Sequence, residues 1–170
     1  MNKTKFVKAA LVAGIGIAGF AAASEAADAA MLYRAYNPNT GEHLYTANYN
    51  EIPFVVKAGW RDEALAWEVP DTLGIPVYRV FNPNNGGDHH YTVNKNEVDM
   101  LVNAGWKFEG IAWNSGGGTP VHRLYNPNAK TGTHHLTANG DEKDILVQAG
   151  WRYEGVAMYS GSDAAVLAQK

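Results

Sequence analysis

One unit is written three times along this chain, and that repetition constrains the fold more than any other feature. The first copy runs from Leu32 as LYRAYNPNTGEHLYTANYNEIPFVVKAGWRDEALAW. The second runs from Val77 as VYRVFNPNNGGDHHYTVNKNEVDMLVNAGWKFEGIAW, and the third from Val121 as VHRLYNPNAKTGTHHLTANGDEKDILVQAGWRYEGVAM. Arg34, Arg79 and Arg123 are spaced by 45 and 44 residues, and Trp60, Trp106 and Trp151 by 46 and 45. The length differences fall in the Asn-Pro-Asn turn.

Each unit reads locally as strand, turn, strand, short helix, strand. Val77–Phe81 alternates and is rich in β formers. Asn82-Pro83-Asn84, with Gly86 and Gly87, is turn chemistry, and His89–Thr92 is the returning strand. Asn94 stands three residues before Glu97, a spacing repeated by Asn48/Glu51 and Asn139/Glu142, which predicts a helix start resembling a capping box. Met100, Leu101 and Ala104 predict one apolar helical face, and Gly105 suits the left-handed position past the helix end. Gly110–Trp113 closes the unit. Pro53 would sit inside the first helix, so that helix is expected to start late, near Pro53, or to be distorted.

A unit of this size cannot bury its apolar face alone. Three copies can close on one another and share a core. An open array is the alternative, but its ends would need capping sequences, and none is visible. The expected fold is therefore mainly β with short helices, a β-rich α+β class. Three strand-strand-helix-strand repeats, about 31–70, 76–115 and 120–160, would close with pseudo-threefold symmetry in a β-trefoil-like body. The 170-residue length suits a single domain, residues 30–170, after a leader.

Lys3, Lys5 and Lys8 precede an apolar run of 15 residues from Ala9 to Ala23, and small residues continue to Ala30. This is the layout of a secretory signal peptide over residues 1–29, with cuts after Ala23 or Ala29 both open. An uncleaved anchor is the competing reading, but the run falls short of the roughly 20 residues that span a bilayer. Loss of 1–29 takes the net charge from −3 to −4. A mildly acidic, secreted domain with no basic footprint is not expected to bind nucleic acid, or a membrane once the leader is gone. The absence of cysteine excludes a disulfide scaffold, a thiolate metal site and a thiol nucleophile.

Repetition names positions the unit needs without saying whether folding or binding needs them. Arg34, Arg79 and Arg123 share a strand face with Tyr36, Phe81 and Tyr125. A forked donor beside a ring suits a sugar or a carboxylate; the competing reading pairs each arginine with Glu63, Glu109 or Glu154 of its own repeat. His43, His89 and His134 recur at the second strand and could converge on an axis. Three imidazoles can hold zinc, but the preceding residue is Glu42, Asp88 or Thr133, so no carboxylate recurs beside them in sequence to orient the rings. His90 and His135 double the histidine in copies two and three, where copy one has Leu44. Trp60, Trp106 and Trp151, like Trp67 and Trp113, are read as core. Arg34, Tyr36, His43, Arg79, Phe81, His89, Arg123, Tyr125 and His134 are thus the ligand-binding candidates, with no catalytic set, no metal set and no cofactor. No nucleophile elbow, H-E-x-x-H helix or P-loop is present.

Tyr78–Asn84, His90–Thr92 and Ala104–Trp113 together resemble a family of tandem-repeat domains of uncharacterised function. Such domains occur in secreted bacterial and fungal proteins, often appended to cell-wall hydrolases and peptidases. The likeness covers about Leu32 to Tyr159. It implies a secreted three-repeat module serving attachment to wall or surface polymers, with no activity attached. Copy one departs most, with Ala64 for the Gly of Glu-Gly and Asp62 for an aromatic. The expected function is a secreted, monomeric, non-enzymatic binding module for a glycan or other cell-envelope polymer. A small hydrolase or metal-binding protein using the histidines, and a protein-binding effector or inhibitor working through hairpin tips, are the alternatives.

Overall fold

The computed structural model describes residues 29–84 and 87–170. Residues 1–28, which hold almost all of the expected signal peptide, lie outside the described residues. The chain is mainly β, in three three-stranded antiparallel sheets with short helices. Copy one gives β1 (Ala29–Tyr36), β2 (His43–Thr46), α1 (Glu51–Lys57) and β3 (Arg61–Pro70). Copy two gives β4 (Ile75–Asn82), β5 (Asp88–Thr92), α2 (Lys95–Asn103) and β6 (Lys107–Ser115). Copy three gives β7 (Thr119–Tyr125), β8 (His134–Thr137), α3 (Gly140–Gln148) and β9 (Arg152–Ser160), and α4 (Asp163–Leu167) follows. The first strand of each copy is the middle strand of its sheet.

The turns form as their residues dictate. Asn37, Asn82 and Asn126 each accept at Oδ1 from the backbone N–H two residues on, at 3.0 Å in all three copies. Asn94 and Asn139 cap α2 and α3 through their side chains. The helix α1 begins at Glu51, two positions later in the repeat than α2, which places Pro53 in the first turn, where a missing N–H removes no helical bond. The expectation of a late start there is met. Gly59, Gly105 and Gly150 follow the helices at φ near +95°, and the next residue returns its N–H to the carbonyl of Val55, Leu101 or Leu146.

Leu32, Val77 and Val121 are fully buried, packed with Tyr45, Tyr91, Leu136, Trp113 and Met158 in one shared cluster. Two expectations need correction. The apolar face read into the second helix fails at Met100, which is 66% exposed, and at Ala104, which is exposed too; Val98 is the buried residue there, and Ile52 is its counterpart in α1. The inward stripe is Val98 and the half-buried Leu101, three apart, matched by Ile52 and Val55 in α1; Met100, two residues from Val98, lies on the opposite side of the helix. Trp60, Trp106 and Trp151 are half-buried at the helix ends instead of central; the inner aromatic positions are those of Tyr45, Tyr91 and Trp113.

Each of β3, β6 and β9 touches the other two. The first and third copies also meet at their hairpins. Gly132 packs so closely on Gly41 that a Cβ there would lie 2.4 Å from the Gly41 carbonyl carbon, and Thr131 donates to the Thr40 carbonyl at 3.3 Å. At the chain's end, Asp163 accepts from the backbone N–H groups of Thr72 and Leu73 and from the Thr72 hydroxyl, holding the first linker.

Candidate functional site

The recurring arginines sit on the middle strands, opposite Tyr45, Tyr91 and Leu136. Each Nε pairs with the glutamate of its own third strand: Arg34 with Glu63 at 2.7 Å, and Arg79 with Glu109 and Arg123 with Glu154 at 2.8 Å. The pairing within the repeat is thus present. Each guanidinium then reaches a second glutamate on the helix of another copy. Arg79 meets Glu51 of copy one at 3.1 Å, Arg123 meets Glu97 of copy two at 3.3 Å, and Arg34 meets Glu142 of copy three at 3.3 Å. These contacts run one to two, two to three and three back to one.

This overturns the capping-box reading of Asn-x-x-Glu. In α2 and α3 the Asn caps its helix, but the Glu turns outward to the neighbouring copy's arginine. Each set carries two carboxylates for one guanidinium. Glu97 and Glu142 are held down to about 2, foremost by contact with the His90 and His135 rings. Burial works against an ionised Glu51, but hydrogen bonds from Arg79 and Thr46 outweigh it and lower its pKa.

The histidine candidates pack on the aromatic candidates with their rings tilted by 40–45°. His43 lies 5.0 Å from Tyr36, His89 4.9 Å from Phe81 and His134 5.3 Å from Tyr125, ring centre to ring centre. Each Nε2 faces the third-strand glutamate, at 3.6 Å from Glu63, 3.4 Å from Glu109 and 3.5 Å from Glu154. A carboxylate therefore does recur beside these imidazoles, supplied by the fold where the neighbouring sequence offers none.

The junctions part company at the next residue. His43 meets His135 of copy three at 4.5 Å, and His134 meets His90 of copy two at 4.9 Å. Burial, then the neighbouring imidazole and arginine, push His43 and His134 down to about 3. At the third junction copy one has Leu44 in the sequence position of His90 and His135, and Glu42 lies 2.6 Å from the Nδ1 of His89. Burial disfavours its charged form, yet the hydrogen bonds to Glu109 and Glu42 raise it to about 9. A small void bordered by His43, His89 and His134 measures about 10 Å³, room for a single water. Among the described residues, no group of three or more His, Asp or Glu could hold a metal ion.

Larger hollows open where copies meet. Between copies one and two, Thr46, Asn48 and Glu51 face Arg79, Glu109 and Ile111 across about 200 Å³. Between copies three and one, the equivalent Thr137, Asn139 and Glu142 face Arg34, Leu65 and Trp67 across about 180 Å³. Two of the arginine candidates, Arg34 and Arg79, therefore line pockets, whereas the histidines and aromatics border the small void or pack on one another. The asparagines and helix glutamates were not among the sequence candidates. Their signal was present, because they recur three times, but it reads as local capping.

Residues 31–161 match a family described as a domain of unknown function (DUF5648). The chain belongs to this family. The matched span holds β2 to β9 entire and all but the first two residues of β1, so the three copies lie within the DUF5648 unit and α4 lies beyond it. No curated protein and no solved structure matches the chain. Among the described residues, no helix is long and apolar enough to cross a membrane.

Proposed function

We propose that the chain is a secreted, non-enzymatic binding module whose ligand is a glycan or related cell-envelope polymer. Its copies close into a pseudo-threefold, trefoil-like body that carries small equivalent sites at the junctions. The observation that supports this reading is the recurrence of one pocket, with equivalent Arg, Glu, Asn, Thr and aliphatic residues, at two junctions. Hollows of this size are below the roughly 300 Å³ of a drug-sized site and suit one sugar residue. The carboxylates accept hydrogen bonds from hydroxyls, and the aliphatic wall meets the C–H face of a ring. Weak sites repeated on one rigid body gain avidity on a repetitive polymer, because the second contact is intramolecular.

Retention of the purified protein on insoluble polysaccharides and wall preparations tests the reading. Ile111→Trp and Leu65→Trp would each fill one pocket from an exposed position. Each is expected to weaken retention, and the double variant more than either. Failure of the unaltered protein to bind any glycan or wall preparation would overturn the proposal.

A further inference from the structure

The pocket between copies one and two differs from its counterpart in what adjoins it. Next to it, at the start of α1, lies a second hollow of about 270 Å³, lined by Asn48, Asn50, Glu51, Phe54 and Val55. The two hollows share Asn48 and Glu51 and so adjoin at these residues, together offering a polar half and an apolar half. Phe54 stands 83% exposed at its rim, where Met100 and Ile145 hold the equivalent places in the other copies. An aromatic ring left in solvent is available for stacking against the apolar face of a pyranose, which a flexible thioether or a branched aliphatic side chain does less well.

The polar half excludes acidic ligands by its bonding. Arg79 spends Nε on Glu109 at 2.8 Å, and its two terminal nitrogens on Glu51 at 3.1 and 3.2 Å. No open fork is left for a carboxylate or phosphate. Asn48 accepts from the Asn50 backbone N–H through Oδ1, leaving its amide NH₂ without a partner among the described residues. Carboxylate acceptors and an amide donor side by side suit hydroxyl groups, which both give and take hydrogen bonds.

We infer that the two adjoining hollows act as one groove, that this groove is the principal site, and that it takes two consecutive residues of an uncharged glycan. One ring lies against Phe54, and the other sits with its hydroxyls on Glu51, Glu109 and Asn48. This rests on the binding-module reading and narrows it to a ligand class and a place.

Titration calorimetry with uncharged oligosaccharides of glucose, mannose and N-acetylglucosamine, and with oligogalacturonate as the acidic probe, tests it. Phe54→Ala, Met100→Ala and Ile145→Ala alter exposed side chains and are not expected to unfold the domain. The expected result is binding of at least one uncharged oligomer and none of the acidic one. Phe54→Ala should weaken that binding about tenfold, while Met100→Ala and Ile145→Ala change it less than about twofold. Tight binding of the uncharged oligomer by Phe54→Ala, equal losses in all three variants, or preference for oligogalacturonate would overturn this inference and leave the module reading standing. Absence of any glycan binding by the unaltered protein would overturn both.

Discussion

The junction between copies one and two and the two other junctions share a scaffold, yet they treat the same histidine in opposite ways. Where a second imidazole stands opposite, His43 and His134 are held neutral, with pKa values near 3. Where copy one has Leu44 in place of a second histidine, Glu42 and Glu109 bond His89 and hold it charged, with a pKa near 9. Backbone register, packed ring and third-strand glutamate are the same in all three. Two neighbouring side chains therefore decide the charge state, which shows how a repeated framework acquires unlike sites without changing its fold.

The largest expected effect comes from the arginines. Arg79→Met would leave Glu51 with only the Thr46 hydroxyl, and should cost about 3 kcal/mol of unfolding free energy in urea titrations. Arg123→Met should cost less, about 2 kcal/mol, because His90 still contacts Glu97. Equal losses would show that the second histidine contributes nothing to the pairing.

The pH dependence separates the junctions further. His89 binds its proton more tightly folded than unfolded, so its contribution is fully present below pH 6.5 and is lost as pH rises through about 9. For His43 and His134 the order is reversed: their contribution is present above pH 6.5 and is lost as pH falls toward about 3. Each limb should reach at most about 1.4 kcal/mol per pH unit per histidine. Glu42→Gln should flatten the alkaline limb by about 2 kcal/mol in total and leave the acid limb unchanged, with His89 titrating lower by NMR. An unaltered alkaline limb would show that Glu42 does not hold the charge.

The smallest effect is in the backbone. Ala64 occupies φ +63°, at the bulge where Gly110 and Gly155 sit at φ +102°, and its N–H donates to Asp62 Oδ1 at 2.8 Å. Ala64→Gly should stabilise the domain by about 1 kcal/mol, and Gly110→Ala should destabilise it by about 1–2 kcal/mol. Thermal unfolding of the pair checks both signs. No gain from Ala64→Gly would mean that the Asp62 bond already offsets the strain.

Much of the fold was legible because its determinants are local. The Asn-Pro-Asn turns, the late start at Pro53 and the glycine past each helix all follow from short spacings, and the arginine paired inside its own copy follows from both partners recurring in every copy. The site was less legible because its partners are far apart in sequence. Arg34 and Glu142 lie 108 residues apart, and nothing in Asn-x-x-Glu says that the glutamate leaves its own helix. The His43–His135 pair was hidden for the same reason, since His134-His135 reads as a sequence neighbour pair although the two rings face different copies. Met100 misled because apolar residues crowd α2, and periodicity over so few turns does not say that Val98, and not Met100, shares the inward face with Leu101.

The tyrosines of the second strands carry a further consequence. Tyr45 donates its hydroxyl to the Leu136 carbonyl at 2.8 Å and accepts from the Leu136 N–H at 3.1 Å, while the Tyr91 hydroxyl accepts from the Tyr45 N–H. Those backbone groups belong to strand margins that another strand could otherwise zip onto. Phenol groups satisfy them in its place, so the three sheets abut without fusing into a continuous ribbon. Copy three has Leu136 where a phenol would stand, and the seam facing β5 is the one this device leaves unsealed.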